Sequence, residues 1–175
     1  MFKGLFVFLI LACQYGFAQY HPVASESSVR FSLKNFGIKT GGSLDAPEGD
    51  IVFNPDDLTK SSFRVTLKAE SIDTDNESRD KHLKEATYFD VKNYPVIRFV
   101  SSSVTETGKK GSYQTLGMLT VKNKSKEITV PFTAEKNGNG WIFSGNFKMN
   151  RKDYDIGGSS TLSDEVTVDI KVVAR

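Results

Sequence analysis

The fold is decided by the stretch Ser28-Val29-Arg30-Phe31-Ser32-Leu33-Lys34, in which every second residue is apolar and the others are polar or charged. Successive side chains of a β-strand point to opposite faces, so this alternation places one face against a core and the other in water. The pattern is typical of an antiparallel strand with one buried face.

The same alternation recurs along the chain. It is strict in Ser62-Phe63-Arg64-Val65-Thr66-Leu67-Lys68-Ala69-Glu70, in Gly145-Asn146-Phe147-Lys148-Met149 and in Glu165-Val166-Thr167-Val168-Asp169-Ile170-Lys171-Val172. Weaker runs lie at residues 96–104, 113–121 and 127–135, and an interrupted stretch lies at residues 40–53. Turn-forming segments such as Asn54-Pro55-Asp56-Asp57 and Asn137-Gly138-Asn139-Gly140 separate these runs. The sequence therefore predicts eight strands.

One segment lacks the alternation. Residues 75–86 contain good helix formers after a capping-type residue, so we expect a short helix at about residues 78–86. Eight antiparallel strands form either a barrel or a sandwich, and sandwiches of the immunoglobulin type often have a Cys…Trp…Cys core that a chain with one cysteine cannot build. The pattern favours an all-β fold, an eight-stranded antiparallel barrel with the helix near one end.

The overall composition excludes several classes of protein. The 175 residues suit one domain, and 38% apolar and 25% charged residues are too apolar for disorder and too polar for a protein with many membrane spans. A net charge of +2 without a basic block gives no reason to expect nucleic acid as a partner. The single cysteine excludes an internal disulfide framework and a Cys-rich zinc site.

The first residues, MFKGLFVFLILACQYGFA, have the pattern of a secretory signal peptide. Lys3 is their only charge, an apolar run follows it, and a small residue precedes Gln19. The apolar run is about half the roughly 20 residues that span a bilayer, which disfavours a membrane anchor. We expect a signal peptide at residues 1–18, cleavage after Ala18, and a periplasmic or secreted domain at residues 19–175. The alternative is lipoprotein processing at Cys13, for which Ile10 and Ala12 fit a bacterial lipobox and Leu11 fits it poorly.

Motifs for catalysis are missing from the sequence. The two histidines are His21 and His82, and no His-x-His, His-Glu-x-x-His, GxSxG or phosphate-cradling string occurs. We therefore expect a binding protein rather than an enzyme, with no catalytic residue, no cofactor and no metal.

Arg79-Asp80-x-His82 is the polar cluster of most interest. It is either an ordinary helix surface, or, if the helix covers one end of the barrel, it supplies Arg79 and His82 as hydrogen-bond donors to a ligand headgroup. In Asn150-Arg151-x-Asp153 an arginine held by an aspartate at a strand end is usually structural. The aromatic side chains of the strands suit both a packed core and a wall that faces an apolar ligand, and alternation does not separate the two.

Several strings resemble the YceI-like family of secreted polyisoprenoid-binding proteins. They are Ser71-Ile72-Asp73-Thr74, then Arg79-Asp80-x-His82-Leu83, then Phe89-Asp90 with Tyr94-Pro95 and Phe99, then Gly117-x-Leu119-Thr120 before Val130-Pro131-Phe132, and finally Asn150-Arg151-x-Asp153-Tyr154-x-Ile156-Gly157 before Ser163-Asp164-Glu165-Val166. They follow the order and spacing of the family from about residue 28 to the C-terminus. In two places, Lys34-Asn35-Phe36-Gly37 and Lys122-Asn123, the family often has an imidazole that this chain lacks.

The resemblance implies a lipocalin-like barrel whose apolar tunnel holds an isoprenoid or other long-chain lipid. Together with the alternation it nominates as tunnel lining Phe31, Leu33, Phe36, Phe53, Val65, Leu67, Phe89, Phe99, Leu119, Phe143 and Phe147. Arg79 and His82 are the headgroup candidates. We expect the lipid as the partner of this protein, and no nucleic acid. A transient contact with a membrane and the formation of a homodimer are both compatible with this expectation.

Two other functions stay open at this point. One is a packed barrel that acts as a structural or protein-interaction module of the cell envelope without a lipid ligand. The other is an enzyme acting on isoprenoids, which would need an acid/base set near Arg79 or His82.

Overall fold

Ten antiparallel strands form one continuous, strongly curled sheet in the computed structural model, which describes residues 18–158 and 161–175. The strands are β1 (Gln19–Tyr20), β2 (Ser28–Asn35), β3 (Ile38–Leu44), β4 (Glu48–Val52), β5 (Ser62–Lys68), β6 (Val96–Glu106), β7 (Ser112–Val121), β8 (Lys124–Asn137), β9 (Gly140–Asn150) and β10 (Glu165–Ala174). Their order in the sheet is β1-β4-β5-β6-β7-β8-β9-β10-β2-β3. This confirms the predicted all-β antiparallel barrel with one short helix.

The strand count is ten rather than the predicted eight. The stretch at residues 40–53 is two strands, β3 and β4, because residues 45–47 leave the sheet. Pro47 lies in this break, and proline has no N–H to donate to a ladder. The other additional strand, β1, has only two residues and is too short for alternation to detect.

The two edge strands of the sheet, β1 and β3, are joined to distant parts of the barrel by backbone hydrogen bonds. Residues 19–23, here called the N-terminal strap, pair with β4 and then cross to the end of β10, where the N–H of Val23 donates to the carbonyl of Val173 at 2.7 Å. On β3, Ser43 exchanges two backbone hydrogen bonds of 2.8 and 3.0 Å with Asp73. These contacts bridge the seam of the barrel, where no regular ladder joins β3 to β4.

The helix α1 spans Glu77–Leu83, three residues shorter at its end than predicted. Its N-cap is Asn76, whose side-chain oxygen accepts a hydrogen bond from the N–H of Arg79 at 2.9 Å. It ends early because the chain turns back, and the carbonyl of Leu83 accepts from the N–H of Phe89 at 3.0 Å instead of continuing the helix. Four short 3-10 helices accompany it, at Ala24–Glu26, Leu58–Lys60, Ala69–Ser71 and Arg151–Tyr154.

The barrel interior is tightly packed at one end. Five of the buried aromatic side chains there form what we call the aromatic floor, which consists of Phe53, Phe63, Tyr113, Phe132 and Phe143. Phe53 lies at its centre, with edge-to-face contacts of 5.2 Å to Tyr113 and 5.3 Å to Phe143 between ring centroids. These residues come from strand ends that meet at one end of the sheet, so this end of the barrel is closed.

The predicted signal peptide and the alternative site at Cys13 lie outside the described residues, except for Ala18. Among the residues that are described, no helix is both long and apolar enough to cross a membrane.

Candidate functional site

Two adjoining cavities occupy the barrel between the aromatic floor and the opposite end. The mouth cavity, next to α1, has a volume of about 170 Å³, and the deep cavity, next to the floor, has a volume of about 140 Å³. They share five wall residues, Val29, Leu67, Leu119, Phe147 and Val168. We call the two together the tunnel. Its surface is almost entirely apolar.

The burial of the inward-facing side chains differs along the barrel axis. In the aromatic floor Phe53 and Phe143 are only 4% and 5% exposed. Phe31, Leu67 and Phe147 face the same interior, yet they are only half-buried. Side chains of a packed interior fill the space between them, so half-burial on an inner wall indicates an unfilled space.

Nine of the eleven residues predicted to line the tunnel contribute to its walls. Those of the mouth cavity are Phe31, Leu33, Leu67, Phe89, Leu119 and Phe147, and those of the deep cavity are Val65, Leu67, Phe99, Leu119, Phe143 and Phe147. That these residues contact a ligand stays a prediction.

Phe36 and Phe53 line neither cavity. Phe36 lies in the turn after β2, where the alternation ends, and 79% of it is exposed. Phe53 follows β4 and belongs to the aromatic floor below the tunnel.

Other tunnel residues were not nominated from the sequence. Val166, Val168, Ile170 and Val172 of β10 form an unbroken inner row along both cavities. They lie in the strictest alternation of the chain, so that signal could have found them. Others, such as Ile156, come from loops at the mouth and have no periodicity that marks them.

Arg79 lies at the rim of the mouth cavity, on the first turns of α1. Its Nε donates to Oγ1 of Thr74 at 2.7 Å and its Nη2 donates to the carbonyl of Thr74 at 2.5 Å. Asp80 fixes Thr74 in turn, because its Oδ1 accepts from both the N–H and the hydroxyl of Thr74. Across residues 18–158 and 161–175 no carboxylate lies within ion-pair distance of Arg79. The rim therefore carries a positioned guanidinium whose charge is not neutralised by a direct partner.

His82 does not join Arg79 at the mouth. Its Nδ1 lies 3.0 Å from Oε2 of Glu85, its ring lies 4.9 Å from the ring of Tyr88, and its side chain is exposed. It lines neither cavity, so the structure separates the two residues that the sequence nominated as a pair.

Arg151 is buried in the wall of the mouth cavity, where it holds the loop before β10 by hydrogen bonds. Its guanidinium donates to backbone carbonyls of the loop, at 2.7 Å to Ile156 and 3.1 Å to Ser163, and to Oδ1 of Asp164 at 3.1 Å. The role is structural, as the sequence suggested, although the carboxylate that holds Arg151 belongs to Asp164 rather than Asp153.

Tyr154 is the most deeply buried large side chain near the mouth, with 1% exposure. Within the described part of the chain its hydroxyl has no hydrogen-bond partner. Burial, with a smaller contribution from the charge of Asp153, raises the pKa of Tyr154 to about 12.

Metal ligands are not grouped in the described ranges, where no cluster of three or more His, Cys, Asp or Glu side chains could hold an ion. Arg79 and Arg151 both line the mouth cavity, so two guanidinium groups lie beside its apolar wall, Arg79 at the rim and Arg151 buried.

Comparison with known proteins gives consistent results. The model of the YceI-like domain matches residues 20–174. A UPF0312 protein of Pseudomonas putida (strain GB-1) is 33% identical over 133 residues, which cover 71% of this chain and 68% of the relative. The crystal structure of Burkholderia cenocepacia BcnA is similar with a TM-score of 0.83 and 27% identity, covering 88% of this chain and 99% of that one.

A structure described as a polyisoprenoid binding domain from Saccharophagus degradans, implicated in plant cell wall breakdown, is also similar. Its TM-score is 0.72 at 11% identity, and the match covers 91% of this chain and 99% of that one. At this identity the similarity concerns the fold alone.

Proposed function

The chain belongs to the YceI-like family, and from this premise we propose that it is a non-catalytic binding or carrier protein that holds a polyisoprenoid or other long-chain lipid in its tunnel. The observation that carries the proposal is the pair of adjoining apolar cavities in the barrel. The description of the Saccharophagus degradans domain as polyisoprenoid binding gives it further support.

The hydrophobic effect supplies the driving force for such binding. Burial of apolar surface contributes roughly 25 cal/mol per Å², and a long hydrocarbon chain exposes hundreds of Å² in water. A wall whose surface is almost entirely apolar gains this energy without specific hydrogen bonds, so length and width decide which chains fit.

The inner row of β10 gives an estimate of the length of the tunnel. From Val166 to Val172 the strand advances roughly 20 Å, or about 15 Å along the barrel axis if the strand has the tilt usual for barrels. An extended chain advances about 3.5 Å per three bonds, so one isoprene repeat of four bonds advances roughly 4–5 Å. The tunnel therefore accommodates about three to four isoprene units, and the rest of the lipid would lie at the mouth.

We propose that Arg79, which lines the mouth cavity, binds a polar headgroup there. Its Nε and Nη2 are occupied by Thr74, and its contact with Oγ1 of Thr40 through Nη1 is long, at 3.5 Å. A guanidinium has five N–H donors, so capacity remains for an anionic group such as a phosphate. His82 does not line the cavity, so the proposal of a headgroup contact concerns Arg79 alone.

The cellular location is also a proposal. The leader pattern supports a periplasmic or secreted protein cleaved after Ala18, with lipoprotein processing at Cys13 as the alternative. The intact mass of the mature protein distinguishes them, because only the second product retains Cys13 and carries lipid. A homodimer and a transient membrane contact are compatible with a carrier.

The lipid proposal is tested by blocking the tunnel from within. Val168 lies where the two cavities meet, and its neighbour Thr167 points to the outer face of β10. We expect Val168→Trp to abolish the lipid found by native mass spectrometry and the rise in melting temperature on adding a polyprenol, whereas Thr167→Trp retains both. If wild-type protein purified from its own host contains no long-chain lipid and added isoprenoids do not stabilise it, the proposal is wrong.

The unfilled interior favours the carrier over a packed-barrel interaction module, which would have no space for a ligand. An enzyme acting on isoprenoids is not favoured either, because His82 and Arg79 do not converge on one point of the cavity.

A further inference from the structure

The hairpin that joins β2 to β3 carries the two most exposed large apolar side chains among the described residues. Phe36 is 79% and Ile38 is 73% exposed. In register, Asn35 pairs with Ile38 and Lys34 pairs with Lys39. We call residues 34–39 the hairpin tip.

The backbone conformation at position 36 is unfavourable for a phenylalanine. Phe36 has φ 50° and Gly37 has φ 79°, the combination of a type I′ turn, in which Asn-Gly is strongly preferred. A bulky residue at positive φ is a true outlier, and strained backbone of this kind is concentrated at functional sites. The chain thus holds an aromatic ring in water, in a strained conformation, where asparagine would fit without cost.

The tip is held firmly at the rim of the tunnel. The carbonyl of Lys34 accepts from the N–H of Ser163 at 2.7 Å, and the N–H of Phe36 donates to the carbonyl of Thr161 at 3.2 Å. Leu33 and Thr40, which are paired in the next inward-facing position of the hairpin, line the mouth cavity. Ile38 shares their face of β3, so the apolar inner wall continues out of the mouth into the tip.

The charge around the apolar tip is positive. Lys34 and Lys39 are exposed and directly opposite each other, an arrangement of like charges that is unfavourable in an isolated hairpin. Over the described ranges neither lysine forms an ion pair with a carboxylate. The two lysines are complementary in charge to anionic lipid headgroups, and the two exposed apolar side chains suit the hydrocarbon layer beneath those headgroups.

We propose that the hairpin tip is the surface by which this protein docks on an anionic lipid bilayer, with Phe36 and Ile38 entering the interface and Lys34 and Lys39 at the level of the headgroups. This inference rests on the proposed lipid-carrier function, since it places the mouth of the tunnel against the membrane that donates or accepts the lipid.

The test compares the mature protein with a Phe36→Asn variant. Asn-Gly suits the turn, so the variant should unfold at the same temperature as wild type or higher, which keeps a loss of binding separate from a loss of fold. We expect its affinity for phosphatidylcholine vesicles that contain phosphatidylglycerol, measured by co-sedimentation, to fall by about tenfold. Met118→Gln is the matched control, because Met118 is 43% exposed on the barrel wall, and it should bind as wild type does.

A Lys34→Gln/Lys39→Gln variant tests the electrostatic part. It should bind the same vesicles several-fold more weakly, show little dependence on salt, and match wild type on phosphatidylcholine alone. The proposal is overturned if wild type does not sediment with these vesicles, if Phe36→Asn binds them as wild type does, or if the substitution instead dissociates a dimer in sedimentation velocity, which would assign the tip to a second copy of the chain.

Loading of a polyprenol from cyclodextrin separates this proposal from the carrier function. Wild type and Phe36→Asn should load equal amounts, because the tip lies outside the tunnel. Loading without tip-dependent vesicle binding refutes only the docking surface, whereas failure of both proteins to load refutes the carrier function itself.

Discussion

At the scale of single residues, Arg151 shows how a buried charge can be accommodated in a small barrel. It is 3% exposed, and its donors are taken up by carbonyls of the loop before β10 and by one carboxylate, that of Asp164. The same loop holds the hairpin tip through Ser163 and Thr161. Arg151 therefore holds the loop that fixes the rim of the tunnel, and it also contributes to the wall of the mouth cavity.

We expect Arg151→Ala to lower the free energy of unfolding by about 3 kcal/mol, because several carbonyls of the loop lose a charged hydrogen-bond donor. Urea denaturation measures this change. Arg98→Ala, which removes an exposed arginine from the outer face of β6, is the control and should change stability by less than about 0.5 kcal/mol. Equal effects of the two substitutions would contradict the role of Arg151.

Tyr154 should contribute a pH dependence of its own. Its pKa is raised from the ordinary 10.0 to about 12 in the folded protein, so the unfolded state loses the phenolic proton first and the fold loses stability as the pH rises through this interval. Tyr154→Phe removes an unpartnered hydroxyl and should change stability at pH 7 by less than about 1 kcal/mol.

Between pH 10 and 12 the wild type should therefore lose more stability than Tyr154→Phe in parallel denaturation curves. Every other ionisable group is the same in the two proteins, so the difference isolates Tyr154. Identical slopes would show that this phenol ionises normally.

The sequence nominated Arg79 and His82 together as headgroup candidates, and in the structure only Arg79 lines the mouth cavity. The two residues are three positions apart on α1, so they can lie on the same side of the helix. The spacing alone does not say which side of the helix packs on the barrel. In the structure His82 faces outward, where its Nδ1 lies 3.0 Å from Oε2 of Glu85. No periodicity in the sequence contains that information.

At the scale of the elements, alternation predicted the strands well because it reports which face is buried. It failed where an element is short or interrupted, as in β1 and in the break between β3 and β4. It also could not separate the aromatic floor from the tunnel, since Phe143 and Phe147 occupy equivalent inward positions on β9. Whether the interior beside an inward-facing side chain is filled or hollow depends on the summed volumes of side chains from all the surrounding strands. The sequence of one strand does not contain that sum.

The aromatic floor should set the length of the lipid that is bound. Phe143 lines the deep cavity and packs against Phe53 at 5.3 Å. Phe143→Ala removes a ring of about the volume of one isoprene unit, so we expect the preferred polyprenol to lengthen by about one unit in native mass spectrometry of a mixture.

The substitution should also cost about 3–5 kcal/mol in the empty protein, and Phe143→Leu is a milder variant for the case in which the alanine form does not fold. Phe99→Ala is the control, because Phe99 belongs to the side wall of the deep cavity. It should change affinity without a change in preferred length. An unchanged length in both Phe143 variants would mean that the floor does not limit the ligand.

At the scale of the whole molecule, the barrel has one packed end and one hollow end. Local stability follows packing, so the two ends should open with different free energies. In the empty protein we expect amide hydrogens of β2 and β3 near the mouth to exchange faster than those of β9 next to the floor. A bound lipid should slow exchange near the mouth more than near the floor.

Hydrogen exchange followed by mass spectrometry, with and without a polyprenol, measures this gradient. The Val168→Trp variant is the control, because a filled tunnel should protect the mouth without lipid and show no further change on adding it. Uniform protection along the axis of the empty wild type would contradict the division into two ends.

The N-terminal strap has a consequence for the order of folding events. Its backbone pairs with the end of β10, where the N–H of His21 donates to the carbonyl of Arg175 at 2.9 Å, so the seam joins the two most distant parts of the described chain. Contacts of such large sequence separation form slowly, because their loop-closure entropy must be overcome before they stabilise the fold. A chain that emerges N-terminus first, from a ribosome or through a membrane pore, therefore has no complete barrel until β10 has emerged. Until then the edges of β2 and β9 lack their partner strand, and this is the interval in which a chaperone would be needed.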